Sequence, residues 1–238
     1  PGAFVPMAER NGLIEPLGNW VIEEACRQIG AWREAGFRMR VSINLSPPQL
    51  RQADLVPKIL ESLRKHRVEP SLLTCEITES VAMSDTKTTQ ETMRALGEAG
   101  VHLSIDDFGT GYSSLSYLRK LPAKEVKIDR SFVMDLERSA DARAVVDAVV
   151  KLAHALGKRV VAEGVETIKQ RRILTEMGCD ELQGFLFAQP MAPADLLQWA
   201  MDARNNDQDA FRSSLYVHPG DADPRLRRKS VAPPVSAH

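Results

Sequence analysis

ARAVVDAVVKLAHAL (142–156), followed after two residues by RVVAEG (159–164), is the stretch from which the fold is read. In its first part Val145, Val146, Val149, Val150 and Ala153 recur at three- and four-residue intervals, so a helix would carry one apolar stripe and one polar face. Gly157 follows at the place where a helix commonly ends in a left-handed residue. The second part is a short β-branched run, suited to a strand buried on both faces. The same alternation extends outward in both directions. Strand-like runs lie at 40–45, 72–78, 101–106, 125–129, 159–164 and 181–184, with helical spacing at 55–66, 87–99, 114–121, 142–156 and 168–177. Gly36, Gly100 and Gly178 repeat the punctuation seen at Gly157, and Pro193 restarts a final helix to about Arg204.

Strands alternating with covering helices predict parallel βα units. Six strands are counted, and the chain opens with a helix at 19–35 that has no strand before it. A closed barrel needs eight. The expectation is an α/β fold, a TIM-like (β/α) barrel lacking one or two N-terminal elements in this chain. An open doubly wound sheet is the alternative, but no glycine-rich phosphate loop follows the first strand.

Composition is that of an ordinary globular protein, 43% hydrophobic and 26% charged with a net charge of −1, so the overall balance points to neither DNA, RNA nor an anionic membrane. No apolar run approaches spanning length. Cys26, Cys75 and Cys179 are far apart, form no C-x-x-C motif and suit a reducing cytoplasm as free, buried thiols. Five scattered histidines argue against a His/Cys zinc site. From about 205 to 238 the chain turns polar and proline-rich, with a basic run at 225–229, and reads as a solvated tail or linker.

In a parallel barrel the working face is the C-terminal end of the strands. The strands end, in order, in Asn44; Glu76 and Glu79; Asp106 and Asp107; Lys127 and Asp129; Glu163 and Glu166; and Gln183. Each residue alone has a structural reading, as a cap, a solvated end or a plain ion pair. Together they describe a ring of acids around one axis, costly to bury without compensating cations. A ligand set without histidine is all oxygen and suits Mg²⁺ or Mn²⁺. Adjacent carboxylates such as Asp106 and Asp107 can flank two ions about 4 Å apart, the geometry of two-metal phosphoester hydrolysis. A lysine amid them could orient water or neutralise developing charge.

The segments EITE (76–79), DDFGTGYSS (106–114), KIDRSFV (127–133), EGVE (163–166) and QGF (183–185), with FVPMAE (4–9) and INLS (43–46), resemble in order and spacing the EAL domain of cyclic-di-GMP phosphodiesterases. The resemblance covers residues 1–204. It implies a barrel with one antiparallel strand, and hydrolysis of cyclic di-GMP to linear pGpG with two Mg²⁺ or Mn²⁺ ions per active site. Carried over by position, Asn44, Glu76 and Asp106 look like ligands of one metal, and Asp106, Asp107 and Glu163 like ligands of the second. Lys127 resembles the residue that holds the attacking water, and Glu163 the proposed general base. Glu79 is similar to the glutamate that steadies the 107–115 loop, and Glu166, Gln183 and Pro190 look like substrate-side positions. The family also implies a homodimer through that loop, and sensory or GGDEF modules in a longer, cytoplasmic or membrane-anchored protein. The glutamate of the E-A-L tripeptide and the arginine after it belong on a strand upstream of Pro1, and this chain contains neither. Two further readings stand beside the enzyme: a cyclic-di-GMP receptor that does not cut, and an unrelated barrel acting on sugar phosphates or serving as a dimerisation scaffold.

Overall fold

The computed structural model describes residues 2–83, 87–109 and 118–205. Its centre is a six-stranded, wholly parallel sheet whose spatial order follows the chain: β1 (Val41–Asn44), β2 (Leu73–Thr78), β3 (His102–Phe108), β4 (Glu125–Ile128), β5 (Arg159–Ala162) and β6 (Glu181–Leu182). Parallel neighbours need long crossovers, and helices supply them. These include Leu55–Lys65 between β1 and β2, Lys87–Glu98 between β2 and β3, Ala140–Ala155 between β4 and β5, and Ile168–Met177 between β5 and β6.

Alternation along each strand sorts the side chains. Ile43, Cys75, Ile77, Leu103, Ile105, Val126, Ile128, Val160, Ala162 and Leu182 are all buried and belong to the apolar clusters under the helices. The opposite face is polar, with Thr74, Glu76, Ser104 and Lys127 also buried. The sheet is curled around this polar face. Arg40, just before β1, approaches Glu125 of β4 to 3.7 Å. On a flat sheet these strands would lie three spacings of about 4.8 Å apart, with their side chains standing parallel.

The expected helix stripe at 142–156 is a helix, Ala140–Ala155, which buries Val146, Val150 and Ala153. Gly36, Gly100, Gly157 and Gly178 all have positive φ. The opening helix begins earlier than expected, at Ile14 and runs to Glu34, because Pro16 falls in its first turn, where the missing N–H has no intrahelical partner. Its far end meets the last helix, Pro193–Asn205: Trp32, Phe37 and Met39 bury against Ala200, and the Trp32 indole N–H donates to the Pro193 carbonyl at 3.3 Å. The first long helix and the last therefore close on each other, as a ring of helices around a barrel requires.

Cys26 and Cys75 are free and buried, whereas Cys179 is only partly buried. Among the described residues no helix is long and apolar enough to cross a membrane. Most of the helical spacing expected at 114–121, most of the loop expected at a dimer interface, and the tail from 206 lie outside the described residues.

Candidate active site

The polar ends of β2 to β5 converge on one ammonium. Lys127 Nζ lies 2.9 Å from Glu76 Oε1, 3.4 Å from Asp106 Oδ1 and 2.6 Å from Glu163 Oε1. These four residues come from four neighbouring βα units, and Lys127 is 5% exposed. Burial pushes the Lys127 ammonium toward neutrality, but the pull of Glu76, Glu163 and Asp106 outweighs it and holds the pKa above its ordinary value. Burial likewise raises Glu163, against the opposing pull of Lys127.

Asp107 enters by an irregularity in β3. Pairing with β4 shifts register between Ile105 and Phe108, and Asp107 takes a left-handed backbone at φ 55°. The bulge keeps two successive carboxylates near the site instead of sending the second to the apolar face. The Asp107 N–H donates to Asp106 Oδ1 at 3.0 Å. The Asp107 carboxyl is raised by burial and by the negative charge of Asp106 and Asp129, against the opposing pull of Lys127. Asp129 itself is lowered, because Ser131 donates to it at the start of the following helix.

Asn44 stands at the end of β1, paired in register with Glu76. Glu79 is buried, and its Oε2 accepts the Gly109 N–H at 2.8 Å at the mouth of the 107–115 loop. Glu166 is at the exposed rim after β5, where Arg130 Nη2 meets its Oε1 at 2.8 Å. Gln183 follows β6, tied through its backbone to Ala162 and Val165. Pro190 is exposed further along the same segment. The structure thus brings Glu76, Asp106, Asp107, Lys127 and Glu163 into one cluster, with Asn44 on its β1 side and Glu166 and Gln183 on its β5–β6 side.

Among the described residues no group of three or more His, Cys, Asp and Glu side chains is spaced as a ready-made metal cage. Lys127 Nζ occupies the centre toward which the carboxylates point. The donor chemistry nevertheless fits hard divalent ions. Glu76, Asp106 and Glu163 all act on Lys127, and Asp107 feels the charge of Asp106, Asp129 and Glu76, so oxygen donors and negative charge gather at this end of the sheet.

Two features escape a residue-by-residue reading of the strand ends. One is Arg130, whose partner Glu166 is 36 residues away. The other is a second charged layer deeper in the curl, formed by Arg40 with Glu125 and by Arg159 with Glu181. Strict alternation from Lys127 back to Glu125, and from Glu163 back to Arg159, is the signal that could have found that layer.

The model of the EAL domain matches residues 1–190. The chain belongs to the EAL domain family. It is 48% identical over 198 residues to the bifunctional diguanylate cyclase/cyclic di-GMP phosphodiesterase MucR of Pseudomonas aeruginosa, an alignment covering 83% of this chain and 29% of that protein. It is 38% identical over 199 residues to the cyclic di-GMP phosphodiesterase PdeR of Escherichia coli, covering 84% of this chain and 30% of that protein. This EAL domain therefore spans about a third or less of those relatives' length. Among solved structures it resembles the P. aeruginosa MucR phosphodiesterase in complex with c-di-GMP, with a TM-score of 0.79, 47% identity and coverage of 82% and 80% of the two chains. The EAL domain of Mycobacterium smegmatis DcpA aligns with a TM-score of 0.73 at 39% identity, covering 77% of this chain and 83% of that one. Barrel-type architecture and family resemblance, both expected from the sequence, are borne out, but the antiparallel strand that the resemblance implies is not among the six described strands, all of which pair in parallel.

Proposed function

We propose that this EAL domain binds cyclic di-GMP across the C-terminal ends of its strands and hydrolyses one phosphodiester to give linear pGpG. The observation that carries the proposal is the meeting of Glu76, Asp106 and Glu163 on Lys127, with Asp107 added by the bulge. Names of relatives that are cyclic di-GMP phosphodiesterases support it. Glu76, Asp106, Asp107, Glu163 and Asn44 would hold two Mg²⁺ or Mn²⁺ ions. Such ions supply Lewis-acid polarisation of the phosphate and an acidified water.

The chain's own residues do the rest. Lys127 stays cationic and offers N–H donors to the attacking water and to the charge that grows on the phosphoryl oxygens. Glu163, raised by burial, is set to take the water proton as the new bond to phosphorus forms. The bridging oxygen leaves and is protonated, so that water is added across one P–O bond. Glu79 holds the Gly109 N–H and thereby the entrance of the 107–115 loop. Glu166, Gln183 and Pro190 contact the nucleotide from the rim. The homodimer through that loop and regulatory modules elsewhere in a longer protein belong to the same proposal.

A receptor that binds without cutting is the second reading, favoured by the position of Lys127 Nζ in the middle of the acids. One experiment separates the two. The full-length protein is incubated with cyclic di-GMP and Mg²⁺ or Mn²⁺, products are followed by chromatography, and binding is measured by calorimetry. The enzyme forms pGpG, and loses this with a chelator or in Asp106→Ala. Tight binding without product at micromolar protein hands the site to the receptor reading.

A further inference from the structure

The ion pair between Arg130 and Glu166 joins two exposed side chains, 52% and 43% accessible. Pairs so exposed contribute little to folding. This one is nevertheless held from several sides. Asp129 accepts the Ser131 N–H at 2.9 Å and caps the short helix Arg130–Met134, which fixes the direction in which Arg130 leaves the end of β4. The stem of Arg130 lies flat over Gly164, whose φ is 70°; a Cβ at that glycine would overlap three carbons of the arginine. On the other side the Glu166 N–H donates to Gln170 Oε1 at 2.8 Å, so the backbone from which the carboxylate projects is also clamped.

The geometry points to Arg130 as a positioning residue for nucleotide recognition: it holds the Glu166 carboxylate in place to accept hydrogen bonds from a guanine edge. The inference rests on the functional reading above and goes beyond it, since it assigns a role to a residue outside the acidic cluster. Glu166 lies three positions beyond Glu163, on the turn that Gly184 packs against, and so faces the same strand-end surface. Guanine presents an N–H and an amino group side by side, two donors that match a carboxylate. A free glutamate side chain must surrender several rotamers to meet them. One whose Oε1 already rests on a guanidinium has surrendered them in advance. A lysine could supply charge there but not the rigid, planar guanidinium through which Arg130 meets Glu166 Oε1.

The test uses the full-length protein and steady-state hydrolysis of cyclic di-GMP by wild type, Arg130→Ala, Arg130→Lys, Glu166→Gln and the Arg130→Ala/Glu166→Gln double variant. Arg130→Ala should raise KM about tenfold, the scale of one charge-assisted hydrogen bond, with kcat changed less than about threefold. Arg130→Lys should recover part of that loss. In the Glu166→Gln background the same arginine change should alter KM by less than about twofold, because the group it positions is already compromised. An unchanged KM in Arg130→Ala, or an effect of equal size in both backgrounds, overturns the assignment and leaves a plain surface ion pair. A wild-type protein that neither binds nor cuts the nucleotide instead overturns the functional reading, and this inference with it.

Discussion

Asp107 carries two costs at once. Its φ of 55° is a left-handed backbone, which strains a non-glycine residue by about 1 kcal/mol or more. Its carboxyl is raised by burial and by Asp106 and Asp129, so ionisation is opposed in the fold. Asparagine tolerates the same backbone and removes the charge. Asp107→Asn should therefore stabilise the metal-free domain by about 1 kcal/mol at pH 8, measured by urea unfolding, while lowering cyclic di-GMP turnover by at least about 100-fold. A variant no more stable than wild type would show that the acids do not repel one another as argued. Lys127 gives the complementary experiment. Lys127→Met leaves Glu76, Asp106 and Glu163 facing one another without the ammonium, and should cost roughly 3 kcal/mol in the absence of metal. Because the penalty is one of uncompensated charge, millimolar Mg²⁺ or Mn²⁺ should restore part of it, and a loss indifferent to metal would point to packing instead. The convergence of these acids was legible because strand ends in a parallel barrel share one face. The partnership of Arg130 with Glu166 was not, since nothing local links a helix start to a turn 36 residues later.

At the scale of elements, the segment after β6 shows how closely the rim is fitted. The Val165 N–H donates to the Gln183 carbonyl and the Leu186 N–H to the Val165 carbonyl, both at 3.0 Å. Gly184 sits between them, where a Cβ would overlap the Val165 backbone. Backbone cannot yield as a flexible side chain can, so Gly184→Ala should push residues 183–187 off the 163–166 turn. We expect kcat/KM to fall by about 100-fold or more and unfolding to be easier by about 2 kcal/mol, whereas Gly178→Ala, at a helix end with φ 87° where a Cβ would meet only His154 Cε1 at an ordinary 3.9 Å, should cost only about 1 kcal/mol and spare turnover. Similar losses in the two variants would refute the distinction. The same close approach explains why the strand expected at 181–184 is only Glu181–Leu182: beyond it the chain pairs with a turn, not with a strand. Conversely β3 runs on to Phe108, past the expected end at 106, because the bulge at Asp107 absorbs the irregularity and pairing resumes. Helix stripes and glycine stops are set by local periodicity and were legible. Bulges and strand ends are decided by contacts between units and were not.

For the molecule as a whole, the curl of the sheet stacks two charged layers along one axis: the acids around Lys127, and beneath them Arg40, Glu125, Arg159 and Glu181, contributed by the N-terminal edge of β1 and by β4, β5 and β6. The lower layer is balanced in formal charge but not in solvation. Glu181 Oε1 is buried and has no hydrogen-bond partner, although Arg159 Nη2 lies 2.7 Å away, so the approach is one of charge without alignment. Burial first, and then the negative Glu125, push Glu181 up to about 7 against the opposing pull of Arg159 and Arg40. In the unfolded chain the same carboxyl titrates near its ordinary value of about 4.5. Between these two values the folded barrel retains a proton that the unfolded chain has released, so stability contributed by this group falls as pH rises through the window and is lower above about 7. Glu181→Gln cannot titrate. The unfolding free energy of wild type relative to Glu181→Gln should therefore decline by on the order of 2 kcal/mol between pH 4.5 and 7.5, read from urea denaturation of the two proteins at matched salt. A difference that stays level across the range would mean that Arg159 and Arg40 fully solvate the carboxylate. The curled sheet would then hold an ordinary ion-pair network at its base, not a strained acid.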